Sequence, residues 1–173
     1  MSEEFYPAAV QRPLMGHSAP GTIAQRNLVV LHITSGPTAS SAINTFIASV
    51  HPNRVAAHFV IDRDGTVFQL LPLSDTAWHA TEVNGHSVGI EHAAIPGTLM
   101  ATEAQYQASA KLVAWLCLQL NVPCTQQHIQ EHNQASPADR HFLCCSGALD
   151  HNRVIAMAAA LSAPAPTTPP AAP

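Results

Sequence analysis

The stretch NLVVLHIT at residues 27–34 has the pattern of a buried β-strand. It is almost continuously apolar, rich in β-branched side chains and ended by a Ser-Gly-Pro turn at residues 35–37, as expected of a strand covered on both faces. His32 interrupts it, and a histidine in such a strand needs a partner for each ring nitrogen or a metal ion. His32 is therefore either a metal ligand or a core histidine bonded to a backbone carbonyl.

The rest of the chain alternates between helix and strand patterns. The predicted elements are a helix over residues 40–50, hairpin strands over 57–61 and 66–71, a strand over 87–92, a long helix after a capping box at 102–105, and a last helix over 153–161. A helix stop at residues 121–123 is followed by a short strand that runs into a loop near 128–132. Strands interleaved with helices predict an α/β fold with a single mixed central β-sheet flanked by α-helices.

The composition suits one compact folded domain. The chain has 173 residues, of which 47% are hydrophobic and 10% charged, which excludes a wholly disordered chain. Four cysteines are too few for a disulfide scaffold, and at most one bridge, between Cys117 and Cys124, is expected. We expect an N-terminal extension over residues 1–26, a folded domain over 27–162 and an Ala/Pro-rich disordered tail over 163–173.

The charge balance argues against two classes of partner. Seven Lys and Arg residues against eleven Asp and Glu residues give a net charge of -4, and Lys111 is the only lysine. Nucleic acid and anionic membranes attract basic surfaces, so neither is an expected partner. No apolar run approaches the roughly 18 residues that a membrane-spanning helix needs, and the acidic start at residues 1–4 predicts that there is no secretory signal.

Histidine and cysteine supply the candidate metal ligands. Eleven residues are histidines, and Cys144 and Cys145 follow His132 closely in the sequence. Thiolate and imidazole together suit Zn(II), and three protein ligands plus water make a catalytic site. His32, His132 and one of the two cysteines would form such a set. The alternative is a pair of buried free cysteines beside a surface histidine.

The segment HIQEH at residues 128–132 matches the inverted zinc-peptidase motif, which requires both histidines on one helix face. We reject this interpretation. Such a site needs a further acidic ligand downstream, and only Asp139 and Asp150 follow Glu131. The segment also follows a helix stop and has the pattern of a short strand, so the two histidines need not share one ion.

A second short motif carries a candidate general base. Residues 84–91 read NGHSVGIE and end in Glu91 at the close of an apolar strand. A partly desolvated carboxylate takes up a proton nearer neutral pH than an exposed one, which suits a general base. The alternative is an ordinary surface glutamate at a strand end.

Four stretches resemble, in the same order, those of the zinc-dependent N-acetylmuramoyl-L-alanine amidase family. They are VVLHIT at residues 29–34, AHFVIDRDGTVFQL at 57–70, AWHA at 77–80 and NGHSVGIE at 84–91. This family, the type 2 amidases, includes phage endolysins, bacterial wall-recycling amidases and the peptidoglycan recognition proteins. The resemblance implies the fold of that family, with residues 27–162 as an amidase catalytic domain.

The resemblance also implies one Zn²⁺ per chain. Its ligands would be His32, His132 and Cys145, because the Cys-Ser-Gly stretch at residues 145–147 is similar to the family's Cys-Pro-Gly turn. Serine replaces proline here, and the loop after His132 is longer than expected. Cys144 is therefore the alternative third ligand.

Glu91 would act as the catalytic base in this family. The phage-lysozyme branch instead has a tyrosine before its His-Phe pair, and Ala57 occupies that position. Many members also have an oxyanion-stabilising lysine or threonine where Leu143 stands. The candidates to stabilise the oxyanion in its place are His79, Arg140 and His141. The residues implied to line the substrate groove are Trp78, His79 and Asn84.

The implied reaction is the zinc-dependent hydrolysis of the amide bond between N-acetylmuramic acid and L-alanine in peptidoglycan or muropeptides. Three other functions stay open, namely a catalytically inactive peptidoglycan-binding module, a Cys/His hydrolase and a metal-storage protein. The biological setting stays open too, since an endolysin, a secreted antibacterial effector with an immunity protein, and a recycling enzyme all fit. Such a protein would be made in the cytoplasm and act on the periplasmic cell wall by lysis or specialised secretion, or stay in the cytosol.

Overall fold

A mixed β-sheet organises the fold. The structure is a computed structural model and describes residues 3–139 and 147–162. Its strands are β1 (Val10–Gln11), β2 (Ser18–Ala19), β3 (Leu28–Ile33), β4 (Phe59–Ile61), β5 (Val67–Gln69), β6 (Thr76–Ala77), β7 (Ser87–His92) and β8 (Ile129–Glu131). Its helices are α1 (Ala39–Ala48), α2 (Glu103–Leu120), α3 (His132–Ala135) and α4 (His151–Ser162), and short 3-10 segments lie at Ile23–Gln25, Thr81–His86 and Pro137–Asp139.

The central sheet has the strand order β1-β5-β4-β7-β3-β8. Strands β4 and β5 form the predicted antiparallel hairpin, whereas β4, β7, β3 and β8 run parallel to their neighbours. Strands β2 and β6 form a separate antiparallel ribbon. The prediction of a single mixed central sheet flanked by helices is confirmed, and so are the strands predicted at residues 27–34 and 87–92.

Alternate residues of the central strands face opposite sides of the sheet. The side that carries Val29, Leu31 and Ile33 packs against α2 and α4 in the main hydrophobic core, and we call it the helix-covered face. We call the other side the cavity face, and α1 packs on part of it. Its defining residues are His32, Ser87, Gly89 and Glu91. The two-residue period therefore puts His32 and Glu91 on the side opposite Val29, Leu31 and Ile33.

Helix α2 begins at the predicted capping box. The Thr102 hydroxyl accepts a hydrogen bond from Gln105 N–H at 3.1 Å, and the Gln105 side chain accepts one from Thr102 N–H at 3.0 Å. The helix ends at Leu120, and its C-cap Asn121, whose φ of 54° is left-handed, lies within the predicted stop at residues 121–123. Within the described residues, no helix combines the length and apolar character that crossing a membrane requires.

The loop of the β4–β5 hairpin needs its glycine. Gly65 has a φ of +88°, and its N–H donates to the Asp62 carbonyl at 2.9 Å. A Cβ at this position would lie 2.9 Å from the Ala104 carbonyl oxygen, so the loop also packs closely on the start of α2. The predicted left-handed glycine is thus confirmed.

The predicted N-terminal extension packs on the folded domain within residues 3–26. Strand β1 pairs in parallel with β5 at the edge of the central sheet. Arg26 is buried, and its guanidinium donates to the carbonyls of Leu73, Ser74 and Gly85. The predicted tail at 163–173 lies outside the described residues, and the domain boundaries stay predictions.

The two described cysteines are free thiols. Cys117 is buried, and Cys124 is partly buried beside it. Burial, followed by the neighbouring Cys124, raises the pKa of the Cys117 thiol well above its usual value. The bridge that the sequence allowed is not formed in this structure.

Candidate active site

A cavity of about 610 Å³ opens on the cavity face, where β3 and β7 approach their carboxyl ends. The predicted site residues that line it are His32, Trp78, His79, Asn84, Glu91 and His132. The structure therefore brings together the predicted site residues of the described part of the chain. The remaining candidates, Arg140, His141, Cys144 and Cys145, lie outside the described residues.

His32 lies near the end of β3, next to Glu91 in the register of the parallel pair β3–β7. Only 2% of His32 is exposed. Its carbonyl oxygen accepts a hydrogen bond from His92 Nδ1–H at 2.9 Å, and His92 Nε2 lies 2.9 Å from the Ser109 hydroxyl of α2. The main chain that carries His32 is therefore tied to the helix-covered face.

His79 approaches the His32 ring from the loop before β7. His79 Nδ1 lies 2.9 Å from His32 Nε2, and His79 Nε2 lies 3.1 Å from Ser87 Oγ. Burial, and then the nearby His32 ring, lower the pKa of His79 well below its usual value. Both ring nitrogens of this predicted substrate-groove residue are thus engaged with the protein itself.

Two features of the chain hold the His79 ring in place. The Asn84 side-chain oxygen accepts from the N–H groups of His79 and Ala80, at 3.0 and 2.8 Å. A Cβ added at Gly89 would lie 2.7 Å from His79 Cγ, so the ring rests directly on the glycine backbone. Asn84 lines the cavity, but its amide oxygen already braces this loop.

His132 begins helix α3 at the end of β8 and is 8% exposed. Its ring centroid lies 4.7 Å from that of His32. His132 Nε2 lies 3.2 Å from Asp139 Oδ2, which also accepts hydrogen bonds from Thr81 Oγ1 at 2.6 Å and Ser136 Oγ at 2.9 Å. Burial opposes ionisation of Asp139, but the hydrogen bonds from Thr81, His132 and Ser136 outweigh it and lower its pKa.

The sequence of residues 23–142 matches the family model of N-acetylmuramoyl-L-alanine amidase. The chain belongs to this family. It is 33% identical over 102 residues to the 1,6-anhydro-N-acetylmuramyl-L-alanine amidase AmpD of Salmonella typhimurium, covering 53% of this chain and 52% of that protein. It is 35% identical over 105 residues to N-acetylmuramoyl-L-alanine amidase A of Achromobacter lyticus, covering 58% and 56%. The chain thus spans about half the length of the curated relatives it matches.

Solved amidase structures share the fold over almost the whole chain. A selenomethionine derivative of AmpD superposes with a TM-score of 0.73 and 26% identity, covering 91% of this chain and 98% of that one. The endolysin N-acetylmuramoyl-L-alanine amidase LysCS from Clostridium intestinale gives a TM-score of 0.67 at 19% identity, covering 88% and 96%. The predicted amidase-like fold is confirmed.

Asp139 lines the same cavity, and the sequence did not single it out as a candidate site residue. It follows His132 by seven positions and sits at the end of a 3-10 turn that starts at Pro137. Sequence reasoning considered it only as a downstream acid for the rejected peptidase motif. The available signal was the Ser-Pro-Ala-Asp turn at residues 136–139, a composition that folds a carboxylate back toward the preceding helix.

The donor set of the described residues fits part of a metal site. Within residues 3–139 and 147–162, no group of three or more His, Cys, Asp or Glu side chains is arranged to hold a metal ion. Two adjacent imidazoles, His32 and His132, nevertheless offer nitrogen donors of the kind that Zn(II) prefers. A carboxylate hydrogen-bonded to the second ring is a common companion of a metal-binding histidine.

Proposed function

We propose that this chain is a zinc-dependent amidase that hydrolyses the bond between N-acetylmuramic acid and L-alanine in peptidoglycan or muropeptides. One observation carries the proposal: His32, His132 and Glu91 line a single cavity in a chain of the amidase family. The cavity volume of about 610 Å³ lies within the range of sites that enclose small molecules, roughly 300–1,000 Å³.

One Zn²⁺ per chain would be held by His32, His132 and Cys145, with Cys144 as the alternative to Cys145. A bound zinc ion supplies Lewis acidity, which lowers the pKa of water and polarises a carbonyl group. The two cysteines can be separated by Cys144→Ala and Cys145→Ala, since only the variant that lacks the ligand should lose zinc. If both single variants keep zinc, neither cysteine alone is the required third ligand.

Glu91 carries the proton in the proposed reaction. Its carboxylate, adjacent to His32 in the β3–β7 register, accepts a proton from the water that attacks the amide carbonyl. The protonated carboxyl then donates that proton to the nitrogen of L-alanine as the carbon–nitrogen bond breaks. One water molecule is consumed, and Glu91 returns to its starting charge.

Trp78 and Asn84 are the proposed contacts for substrate. Trp78 is partly exposed in the cavity lining, where an apolar ring can pack against a sugar or peptide. Among the described residues, the Asn84 side chain bonds only through its oxygen, which braces the loop, so its amide N–H groups are the proposed donors to substrate.

The reaction can be tested on purified chain with soluble muropeptides. We expect mass spectrometry to detect free peptides that begin with L-alanine, and His32→Ala to abolish their release together with zinc binding. His86→Ala is the matched control, because His86 is exposed and does not line the cavity. Substrate binding without turnover by the zinc-loaded chain would instead indicate a binding module, and zinc-independent turnover a Cys/His hydrolase.

The biological setting belongs to the same proposal. A recycling enzyme would act on soluble muropeptides in the cytosol, whereas an endolysin or a secreted effector would act on intact cell wall. Comparing the rates on soluble muropeptides and on purified sacculi separates these settings. An effector would in addition bind a cognate immunity protein, which should inhibit hydrolysis when the two are mixed.

A further inference from the structure

We infer that His79 is a positioning residue, and that Ser87 and His79 form a hydrogen-bond relay that fixes His32 as the Nε2–H tautomer and leaves Nδ1 as its metal-binding nitrogen. The relay differs from the substrate-groove role that the resemblance implies for His79. Its metal-binding part rests on the proposed zinc site, whereas the tautomer itself is a property of the metal-free chain.

The relay begins at Ser87, which is fully buried. Its hydroxyl lies 2.8 Å from the Val83 carbonyl oxygen, and a carbonyl oxygen can only accept, so the single hydroxyl proton is used there. Ser87 Oγ is then left as an acceptor for His79 Nε2, 3.1 Å away. His79 therefore carries its proton on Nε2.

The position of the proton on His79 determines the position of the proton on His32. In a neutral imidazole with its proton on Nε2, Nδ1 carries the lone pair and accepts hydrogen bonds. His32 Nε2, 2.9 Å from His79 Nδ1, must then be the donor. His32 thus presents the lone pair of Nδ1, the nitrogen on the other side of its ring.

The surrounding chain is shaped to keep the relay aligned. Gly89 lies directly beneath the His79 ring, where any larger residue would displace it. Asn84 holds the main chain of His79 from the loop, and His92 holds the main chain of His32 from the next strand. Two fixed backbones leave little freedom for either ring to turn over.

His132 also carries its proton on Nε2, and its hydrogen-bond partner is Asp139. Asp139 Oδ2 accepts from the hydroxyls of Thr81 and Ser136, and His132 Nε2–H donates to the same oxygen at 3.2 Å. His132 therefore also carries its lone pair on Nδ1. Histidine ligands commonly bind a metal through one nitrogen and donate the other N–H to an outer partner, and losing that partner typically weakens metal binding about 10–100-fold.

The relay can be tested by nuclear magnetic resonance on metal-free protein labelled with ¹⁵N-histidine. Long-range ¹H–¹⁵N spectra distinguish the two tautomers, and we expect His32 to show a protonated Nε2. In Ser87→Ala the His32 signals should shift toward a tautomer mixture, and zinc affinity measured by chelator competition should fall about 10–100-fold. Ser87→Thr keeps a hydroxyl and should restore both.

The matched control is Ser162→Ala, which also removes a hydroxyl that donates to the carbonyl four residues earlier, that of Ala158, but lies outside the lining of this cavity. It should leave the His32 tautomer unchanged. A wild-type His32 protonated on Nδ1, or a Ser87→Ala chain with unaltered tautomer and zinc affinity, would overturn the relay. Spectra of the chain loaded with cadmium in place of zinc should show the metal on Nδ1 of His32. Cadmium bound to Nε2 would overturn that assignment. A wild-type chain that binds no zinc would overturn the proposed function, while the metal-free spectra still decide the relay.

Discussion

Adjacent residues of the central strands lie on opposite faces of the sheet and have different surroundings. In the β3–β7 register, Leu31 lies opposite Ile90 on the helix-covered face, and the next pair, His32 and Glu91, lies on the cavity face. Leu31 and Ile90 are fully buried in the main core. One position along each strand therefore separates a core residue from a candidate site residue, so the candidate site residues lie on rigid strands.

Burying the polar side chains of the cavity face has a cost in desolvation that burying the apolar side chains of the helix-covered face does not have. Each buried polar side chain there needs a hydrogen-bond partner, or its desolvation destabilises the fold. His58 illustrates the arrangement: its Nδ1 accepts from Gly89 N–H at 3.1 Å and its Nε2–H donates to the Asp75 carbonyl at 2.9 Å. Substitutions that affect one face should therefore differ in kind from those that affect the other.

The largest expected effect is on catalysis at the cavity face. Glu91→Ala removes the proposed proton carrier but no proposed metal ligand, so hydrolysis should fall at least about 100-fold while one zinc per chain remains. Elemental analysis and muropeptide turnover measure the two quantities on the same sample. Ile90→Val, one residue away on the other face, serves as the control and should keep most of the activity. A Glu91→Ala chain with full rate would show that the base is wrongly assigned.

A large loss of stability is expected from the helix-covered face. Leu31→Ala creates a cavity in the main core and should lower the free energy of unfolding by about 2–5 kcal/mol. Urea unfolding in the presence of chelator measures this loss without a contribution from zinc. The folded fraction of Leu31→Ala should still bind zinc, unlike His32→Ala. Equal loss of zinc by both variants would contradict the separation of the two faces.

A pH-dependent loss of stability is expected at the cavity face. Burial lowers the pKa of His58 to about 4, below the unfolded value of 6.5, so the folded state disfavours its protonation. This contribution to stability is complete above pH 6.5 and is lost as the pH falls toward 4, amounting to about 3 kcal/mol over the whole interval.

The matched variant for this effect is His58→Gln, which keeps a donor and an acceptor but does not titrate in this range. In chelator, its free energy of unfolding should change less steeply between pH 6.5 and 4 than that of the wild-type chain, by up to about 1.4 kcal/mol per pH unit. Parallel curves for the two chains would mean that His58 is not held neutral by the fold.

Much of the fold could be predicted from the sequence because its signals are local. The β3 stretch, the Gly65 hairpin and the Thr102 capping box are each encoded within a few residues. Strand β1 could not be found this way, because two residues give no periodic pattern and their pairing with β5 depends on tertiary packing.

The site was only partly predictable for the same reason. The family resemblance singled out His32, His132 and Glu91, which the structure brings to one cavity. The bonds of His79 to Ser87 and His32, and of Asp139 to His132, depend on where loops cross the sheet. Neither follows from spacing along the chain, so the outer partners of both histidines emerged only from the structure.

The most direct test of the account is a zinc titration of the chelator-stripped chain, followed by the rate of release of L-alanine-terminated peptides from muropeptides. The account predicts no release without metal and a rate that rises linearly until one zinc per chain has been added, then stays constant. A metal-free, folded chain that cleaves muropeptides at its full rate would contradict the central claim.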